Sequence, residues 1–110
     1  MGSPMPQLVL IVDDDQMNRE LLGTVLKRAG YLAAHASSGA QALREVPEQH
    51  PDLILLDVNL GEMSGFDVCA QLKSQPATRA IPIIILTAAD NAEDRQSAER
   101  VGADAFFPKM

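Results

Sequence analysis

The sequence is poor in cysteine and in aromatic side chains. Its 110 residues include one cysteine and no tryptophan, and aromatic residues make up 4% of the chain. Because Cys69 has no second cysteine to pair with, an internal disulfide is excluded, and we expect a reducing compartment. The low aromatic content means that the core must be built mainly from aliphatic side chains.

Long hydrophobic runs and leader sequences are also absent. No apolar segment reaches about 18 residues, the length of a candidate membrane-spanning helix, and no basic segment followed by an apolar one resembles a secretory signal. These absences predict a soluble, cytoplasmic protein with no membrane contact. Met1-Gly2-Ser3-Pro4 resembles a cloning remnant and Met5 a native start, so we expect residues 1–6 to be a disordered start. Residues 7–110 are expected to form one domain.

Basic residues are few and scattered. Nine Lys and Arg residues stand against fifteen Asp and Glu residues, which gives a formal net charge of −6 and a pI of about 4.7. Surfaces that bind nucleic acid need clustered Lys and Arg to neutralise phosphates, so nucleic-acid binding is not expected. Acidic residues instead gather at Asp13-Asp14-Asp15. This cluster indicates a bound cation.

Apolar runs of strand length alternate with segments that have helical spacing. The runs are Leu8–Val12, Tyr31–Ala36, the run ending at Asp57, Ile81–Leu86 and Ala105–Phe107. The helical segments are Gln16–Ala29, Ala40–Val46, Phe66–Leu72 and Asp90–Val101. We expect Pro47 to end or tighten the second helix, and Asp90 or Asn91 to cap the fourth. The alternation predicts an α/β fold: a doubly wound, five-stranded parallel sheet with right-handed crossovers.

Three of these strands run into acids or a hydroxyl. The first is followed by Asp13-Asp14, the third ends at Asp57, and the fourth is followed by Thr87. In an open parallel sheet these ends share the rim where ligands bind. Carboxylates brought together there repel one another, so they either raise their pKa values or hold a cation, and Mg²⁺ suits such hard oxygen ligands. A carboxylate in this setting can act as a nucleophile toward a phosphoryl group.

In this arrangement the chain resembles the receiver domain of two-component response regulators over residues 7 to 109. The resemblance is carried by Asp13-Asp14 after the first strand, Asp57 after the third, Thr87 after the fourth and Lys109 after the fifth. Each motif alone is weak, because pairs of Asp are common in acidic chains. Five positions in register at the ends of predicted strands are a specific signal. The resemblance implies the flavodoxin-like strand order 2-1-3-4-5.

The resemblance also implies a metal site and a phosphoacceptor. Mg²⁺ would be held by Asp13, Asp14, Asp57 and the main-chain carbonyl of Asn59. Asp57 would accept a phosphoryl group from a phosphohistidine on a sensor histidine kinase or a phosphotransfer protein. The domain would be a signalling module and not an enzyme, apart from slow self-catalysed phosphorylation and dephosphorylation.

The family pattern assigns further roles near the phosphoryl group. Lys109 and Thr87 would contact its oxygens as catalytic residues. Thr87 would also move toward the group, and Phe106 would rotate into the vacated space, so these two residues form the implied switch. Phe106 stands where the family frequently has Tyr, so the rotation would depend on packing alone. In the alternative interpretation, Phe106 and Phe107 simply alternate between core and surface.

Other positions near these strands are given smaller roles. Asn59 and Ala89 occupy the positions that tune water access to the phosphoryl group. His35 and His50 are expected to be surface or structural residues and not internal phosphoryl donors.

The chain departs from the family pattern at three places. Gly61 replaces the usual Pro in the loop after the phosphoacceptor, which should make that loop less rigid. Met110 replaces the usual Pro after Lys109, so we expect a trans peptide bond there. The family's fifth helix is missing, and we expect an exposed apolar strip that promotes a homodimer.

Two other functions remain open at this point. A Mg²⁺-dependent phosphatase of the haloacid dehalogenase type also uses an Asp nucleophile at a strand end. That class has a second acid two residues later, where this chain has Asn59. The other alternative is a receiver-like interaction module that is no longer phosphorylated.

Overall fold

The computed structural model describes residues 7–88 and 91–109. The elements follow in the order β1 (Leu8–Val12), α1 (Gln16–Arg28), β2 (Leu32–Ala36), α2 (Gly39–Gln49), β3 (Leu53–Asp57), β4 (Asn59–Leu60), β5 (Met63–Ser64), α3 (Gly65–Ser74), β6 (Ile83–Thr87), α4 (Ala92–Arg100) and β7 (Ala105–Pro108).

Five of the strands form one parallel sheet in the order β2-β1-β3-β6-β7. Helix α1 contacts β1 and β2 on one face of this sheet, and α2, α3 and α4 pack on the other. The predicted doubly wound sheet and its predicted strand order are therefore confirmed. All five strands run in the same direction, so their carboxyl ends form one rim.

Local hydrogen bonds explain why two strands start later than the sequence predicts. The N–H of Tyr31 bonds to Leu26 in the turn that ends α1, so β2 begins at Leu32 and not at Tyr31. The N–H of Ile81 bonds to Thr78, and Pro82 has no N–H to donate. Strand β6 consequently begins at Ile83, whereas the apolar run begins at Ile81.

Three further details of the helices and loops differ from, or complete, the predictions. Pro47 does not end α2, because the helix continues to Gln49 and closes at His50, whose φ of 46° is left-handed. Asn91 caps α4 by accepting a hydrogen bond from the N–H of Asp94, and Asp90 lies outside the described residues. The loop after β3 contains the short antiparallel hairpin β4–β5, which was not predicted.

The main core is aliphatic, as expected from the composition. It lies between the sheet and helices α2, α3 and α4, and its fully buried side chains come from alternate strand positions such as Leu10, Ile54 and Ile83. Phe66 and Phe106 pack against its edge. Alternation places Ile11 on the opposite face, under α1.

The face that carries α1 is covered unevenly. Since α1 contacts β1 and β2, the side of the sheet formed by β6 and β7 has no covering helix among the described residues. Phe107 on β7 is 53% exposed, and Met17, Leu21 and Val25 on α1 are 75%, 65% and 57% exposed. The expected apolar strip is therefore present. None of the helices within residues 7–88 and 91–109 has the length and apolar content needed to cross a membrane.

Candidate functional site

Three carboxylates meet at the carboxyl ends of β1 and β3. Asp13 follows β1 and is buried, Asp57 ends β3 and is buried, and Asp14 beside Asp13 is exposed. One carboxylate oxygen from each lies within 4.8 Å of the other two. Backbone pairing produces this arrangement, because β1 and β3 are adjacent, with Val12 opposite Leu56.

Lys109 places an ammonium group between the two buried acids. Its Nζ lies 3.0 Å from Oδ2 of Asp13 and 3.0 Å from Oδ2 of Asp57. The residue follows β7, and its main-chain N–H donates to the carbonyl of Thr87 at 2.6 Å. The hydrogen bonds between β6 and β7 therefore position Lys109 so that its ammonium group reaches the acids at the ends of β1 and β3.

The electrostatics of this group favour one more positive charge. Burial raises the pKa of Asp57; the Lys109 ammonium and the Asn59 main-chain N–H lower it, and the nearby charge of Asp13 raises it again, so that the net pKa lies above the usual 3.8. Burial lowers the pKa of Lys109, but its contacts with Asp13 and Asp57 outweigh burial and raise it above 10.5. One ammonium thus serves two buried carboxylates, and Asp14 adds a third negative group.

A divalent cation is the ligand that this donor set fits. The three carboxylates supply hard oxygen ligands close enough to share one ion, and Mg²⁺ and Mn²⁺ both favour carboxylate, carbonyl and water ligands. Asp14 is exposed, so the site opens to solvent on its side, where bound waters or phosphate oxygens have room.

The remaining predicted site residues lie around this centre. Thr87 is buried at the end of β6, one residue beyond Leu86, which pairs with Asp57. Asn59, two residues after Asp57, opens the β4–β5 hairpin, and its N–H bonds to the Asp57 carboxylate. Phe106 is partly buried on β7, with the Arg95 guanidinium 5.3 Å from its ring centroid.

Some of the positions singled out in the sequence lie away from the acids or outside the described residues. His35 is exposed on β2 beside Gly23 of α1, and His50 is exposed at the end of α2. Ala89 and Met110 lie outside the described residues, as does the peptide bond that joins Lys109 to Met110.

The sequence reasoning missed the importance of Gly65. This glycine is buried at the start of α3, and its N–H donates to the carbonyl of Val58 at 2.7 Å. A Cβ at this position would lie 2.1 Å from the main-chain oxygen of Asp57. Gly65 therefore allows α3 to begin directly against the backbone that carries Asp57. A glycine eight residues after the strand-end acid was the available signal, although spacing alone does not reveal the contact.

Comparisons with known proteins agree with the fold. The chain matches the family described as the response regulator receiver domain over residues 9–110. It is 36% identical over 105 residues to the polar-differentiation response regulator DivK of Brucella ovis, covering 96% of this chain and 85% of that protein.

Solved structures give the same result. Chemotaxis protein CheY4 of Vibrio cholerae matches with a TM-score of 0.90 at 32% identity, covering 94% of this chain and 87% of that one. The Mn²⁺-bound form of response regulator Rcp1 matches with a TM-score of 0.86 at 27% identity, covering 96% and 82%. The chain therefore belongs to the response regulator receiver domain family.

Proposed function

We propose that this receiver domain accepts a phosphoryl group on Asp57, in a Mg²⁺-dependent reaction, from a phosphohistidine of a sensor histidine kinase or phosphotransfer protein in the cytoplasm. One observation carries the proposal: Lys109 lies 3.0 Å from both Asp57 and Asp13, inside a cluster of three acids at the ligand-binding rim of the sheet. Such a group of opposite charges, open to solvent on one side, is suited to hold a cation and a phosphoryl group together.

The reaction itself needs little from the protein beyond position and charge. A carboxylate oxygen of Asp57 forms a bond to phosphorus as the bond from phosphorus to the donor imidazole breaks, and the imidazole keeps the electron pair and takes up a proton. Lys109 is placed to offset charge on the phosphoryl oxygens. Thr87 offers a hydroxyl at the end of β6, the strand next to β3.

The metal ligands proposed are the three clustered carboxylates and one carbonyl. Asp13, Asp14 and Asp57 would hold Mg²⁺ together with the main-chain oxygen of Asn59. A bound Mg²⁺ would neutralise charge on the phosphoryl oxygens during transfer. The Mn²⁺ in the related Rcp1 structure supports a divalent ion in this family, and the oxygen-only donor set of this chain supports it independently.

The conformational change caused by phosphorylation would be transmitted from the site through β6 and β7. Thr87 is linked to Lys109 by a main-chain hydrogen bond of 2.6 Å, so a shift of Thr87 toward a phosphoryl oxygen moves the strand that carries Phe106. Phe106 packs between the core and the Arg95 guanidinium. Rotation of this ring would therefore change the contact between β7 and α4, which a partner protein can detect.

A phosphatase of the haloacid dehalogenase type is a poorer fit. Its second acid would have to stand where Asn59 lies, and Asn59 uses its main-chain N–H to bond Asp57. An amide cannot act as the general acid and base that turnover requires. We therefore infer a signalling role in which the phosphoryl group is held and not turned over rapidly.

Acetyl phosphate and Mg²⁺ test the proposal through the intact mass of the protein. We expect one added phosphoryl group on the unmodified chain, none on Asp57→Asn, and one on the control Asp67→Asn, whose carboxylate is exposed in the first turn of α3. EDTA should prevent the addition. Sustained release of phosphate from many esters would favour a phosphatase, and no adduct would favour an interaction module that is no longer phosphorylated.

The exposed apolar strip supports a homodimer as a further proposal. Met17, Leu21, Val25 and Phe107 are each more than half exposed, and Leu21 and Pro108 border a common groove beside Lys109. We propose that a second copy of the chain covers this strip. Sedimentation should show a dimer that Leu21→Lys dissociates and that Ala40→Lys, on the exposed side of α2, leaves intact. A monomer at all concentrations would contradict the proposal.

A further inference from the structure

Arg19 reaches back from α1 to the loop that carries the acidic pair. Its Nη1 donates to the main-chain carbonyl of Asp13 at 2.6 Å, and the guanidinium is partly buried there. Its own N–H bonds to the carbonyl of Asp15 at 3.1 Å, in the first turn of the helix. The side chain is thus fixed at its base by the helix and at its tip by the loop.

The carbonyl of Asp13 belongs to the peptide group that joins Asp13 to Asp14. A peptide group is planar, so fixing its oxygen fixes the direction in which the chain leaves toward Asp14. The Asp14 side chain is exposed and is not held by packing, so its position depends on that backbone. Arg19 therefore acts on Asp14 through one rigid group.

The other polar groups of Asp13 are already held by the fold. Its N–H donates to Ala36 at 3.1 Å, its Oδ1 accepts from the N–H of Asp15 at 2.9 Å, and its Oδ2 accepts from Lys109. These contacts fix the Asp13 side chain and the amide before it. The peptide group after Asp13 is fixed by Arg19. The Arg19 side chain therefore supplies the hydrogen bond that completes the fixing of this loop.

We infer that Arg19 is a positioning residue that sets the orientation of the peptide after Asp13, and through it the affinity of the acidic cluster for a divalent cation. The inference rests on the proposed function, in which that cluster holds Mg²⁺. Groups that orient metal ligands without touching the metal commonly change its affinity by about 10- to 100-fold when they are removed.

The charge of Arg19 and its positioning role predict opposite changes in Mg²⁺ affinity when the side chain is removed, so the experiment can distinguish them. A guanidinium close to the acids repels a cation, so its removal should tighten Mg²⁺ binding if charge is its main effect. Loss of the hydrogen bond to Asp13 frees the peptide and spreads the Asp14 carboxylate over several positions. If positioning is the main effect, removal weakens binding.

The test uses the full chain and the metal alone, with no phosphoryl donor. Binding of Mn²⁺, followed through the electron paramagnetic resonance signal of the free ion, and of Mg²⁺ by calorimetry should be about tenfold weaker in Arg19→Met than in the unmodified chain. Arg28→Met, at the exposed last turn of the same helix, should bind as the unmodified chain does. Urea unfolding of the metal-free variants distinguishes a positioning effect from a purely structural one. A purely structural effect lowers the free energy of unfolding without changing the metal affinity of the folded protein.

Each result supports or overturns the inference. If Arg19→Met binds the metal as tightly as the unmodified chain or more tightly, the inference is overturned. The proposed function still stands in that case, provided that the unmodified chain binds the metal tightly. If the unmodified chain binds neither ion, the metal requirement of the proposed function fails, and the inference fails with it. Should Arg19→Met not fold, Arg19→Lys carries the test, because Lys keeps the charge but not the forked geometry. A measurable loss of affinity supports the inference, and unchanged affinity overturns it.

Discussion

Lys109 sets the charge balance of the site. It lies 3.0 Å from each of two buried carboxylates, so a single positive charge serves two negative ones. The net pKa of Asp57 stays above its ordinary value because burial outweighs its contact with Lys109. An ionised Asp57 therefore opposes folding when no cation is bound, and a cation that binds the cluster removes this penalty.

Substitution of Asp57 by Asn should stabilise the metal-free protein. The folded pKa of Asp57 lies above 3.8, so the folded state binds more protons than the unfolded state between these two values, and stability falls as pH rises through that window. The advantage of Asp57→Asn should grow as pH rises from 3.8 through the folded pKa of Asp57 and should vanish as pH falls below 3.8. Urea unfolding in EDTA across this range measures it, with Asp67→Asn as the exposed control. A less stable Asp57→Asn protein at pH 7 would contradict this balance.

Substitution of Gly65 by Ala should destabilise the protein. The added Cβ would lie 2.1 Å from the main-chain oxygen of Asp57, so either α3 or the end of β3 has to move, at a cost of about 1–3 kcal/mol. The matched control is Gly23→Ala within α1, where the nearest atom is 3.3 Å away on the exposed His35 side chain. That change should be neutral or stabilise by about 0.5–1 kcal/mol. Urea unfolding of both variants checks the pair, and equal stabilities would contradict the account of Gly65.

At the scale of elements, one side chain joins α3 to the sheet far from the acids. Lys73 near the end of α3 donates to the carbonyls of Arg79 and Ile81 at 3.1 and 2.9 Å and to Asp104 at 2.8 Å. Asp104 also accepts from the N–H of Ile83 at the start of β6. The helix, the turn after it, the start of β6 and the residue before β7 therefore share one polar network.

Replacement of Lys73 by Met should destabilise the chain without changing the site. Two carbonyls and the Asp104 carboxylate lose a donor, and a partly buried acceptor without a partner costs about 1–3 kcal/mol. Mg²⁺ binding should stay unchanged, because the acids lie at the opposite ends of the strands. Urea unfolding together with calorimetric titration checks both expectations. Lys27→Met, at the exposed end of α1, is the control, and a loss of Mg²⁺ affinity in Lys73→Met would show that the two ends of the sheet are coupled.

At the scale of the whole molecule, the two faces of the sheet are covered unequally. Three helices pack on one face, while α1 alone covers part of the other within the described residues. The side chain of Phe107 on β7 is consequently 53% exposed, while Phe106 on the same strand packs against the core. This alternation also separates the two proposed roles of the strand, since Phe106 is the proposed switch residue and Phe107 belongs to the apolar strip.

Much of this organisation could be predicted from the sequence. Continuous apolar runs such as Leu8–Val12 identify buried parallel strands, and parallel strands necessarily bring Asp13 and Asp57 to one rim. The close approach of Gly65 to Asp57 and the reach of Arg19 to Asp13 could not be predicted. Both depend on distances between elements, and residue patterns specify which face a side chain occupies but not which atom it meets.

The location of the acyl phosphate tests the central claim most directly. After incubation with acetyl phosphate and Mg²⁺, borohydride reduces an aspartyl phosphate to homoserine, and peptide sequencing by mass spectrometry identifies the converted position. We predict homoserine at position 57 and at no other Asp. Conversion at Asp13 or Asp14 in place of Asp57, or no conversion in a protein that binds Mg²⁺, would contradict the assignment of Asp57 as the phosphoacceptor.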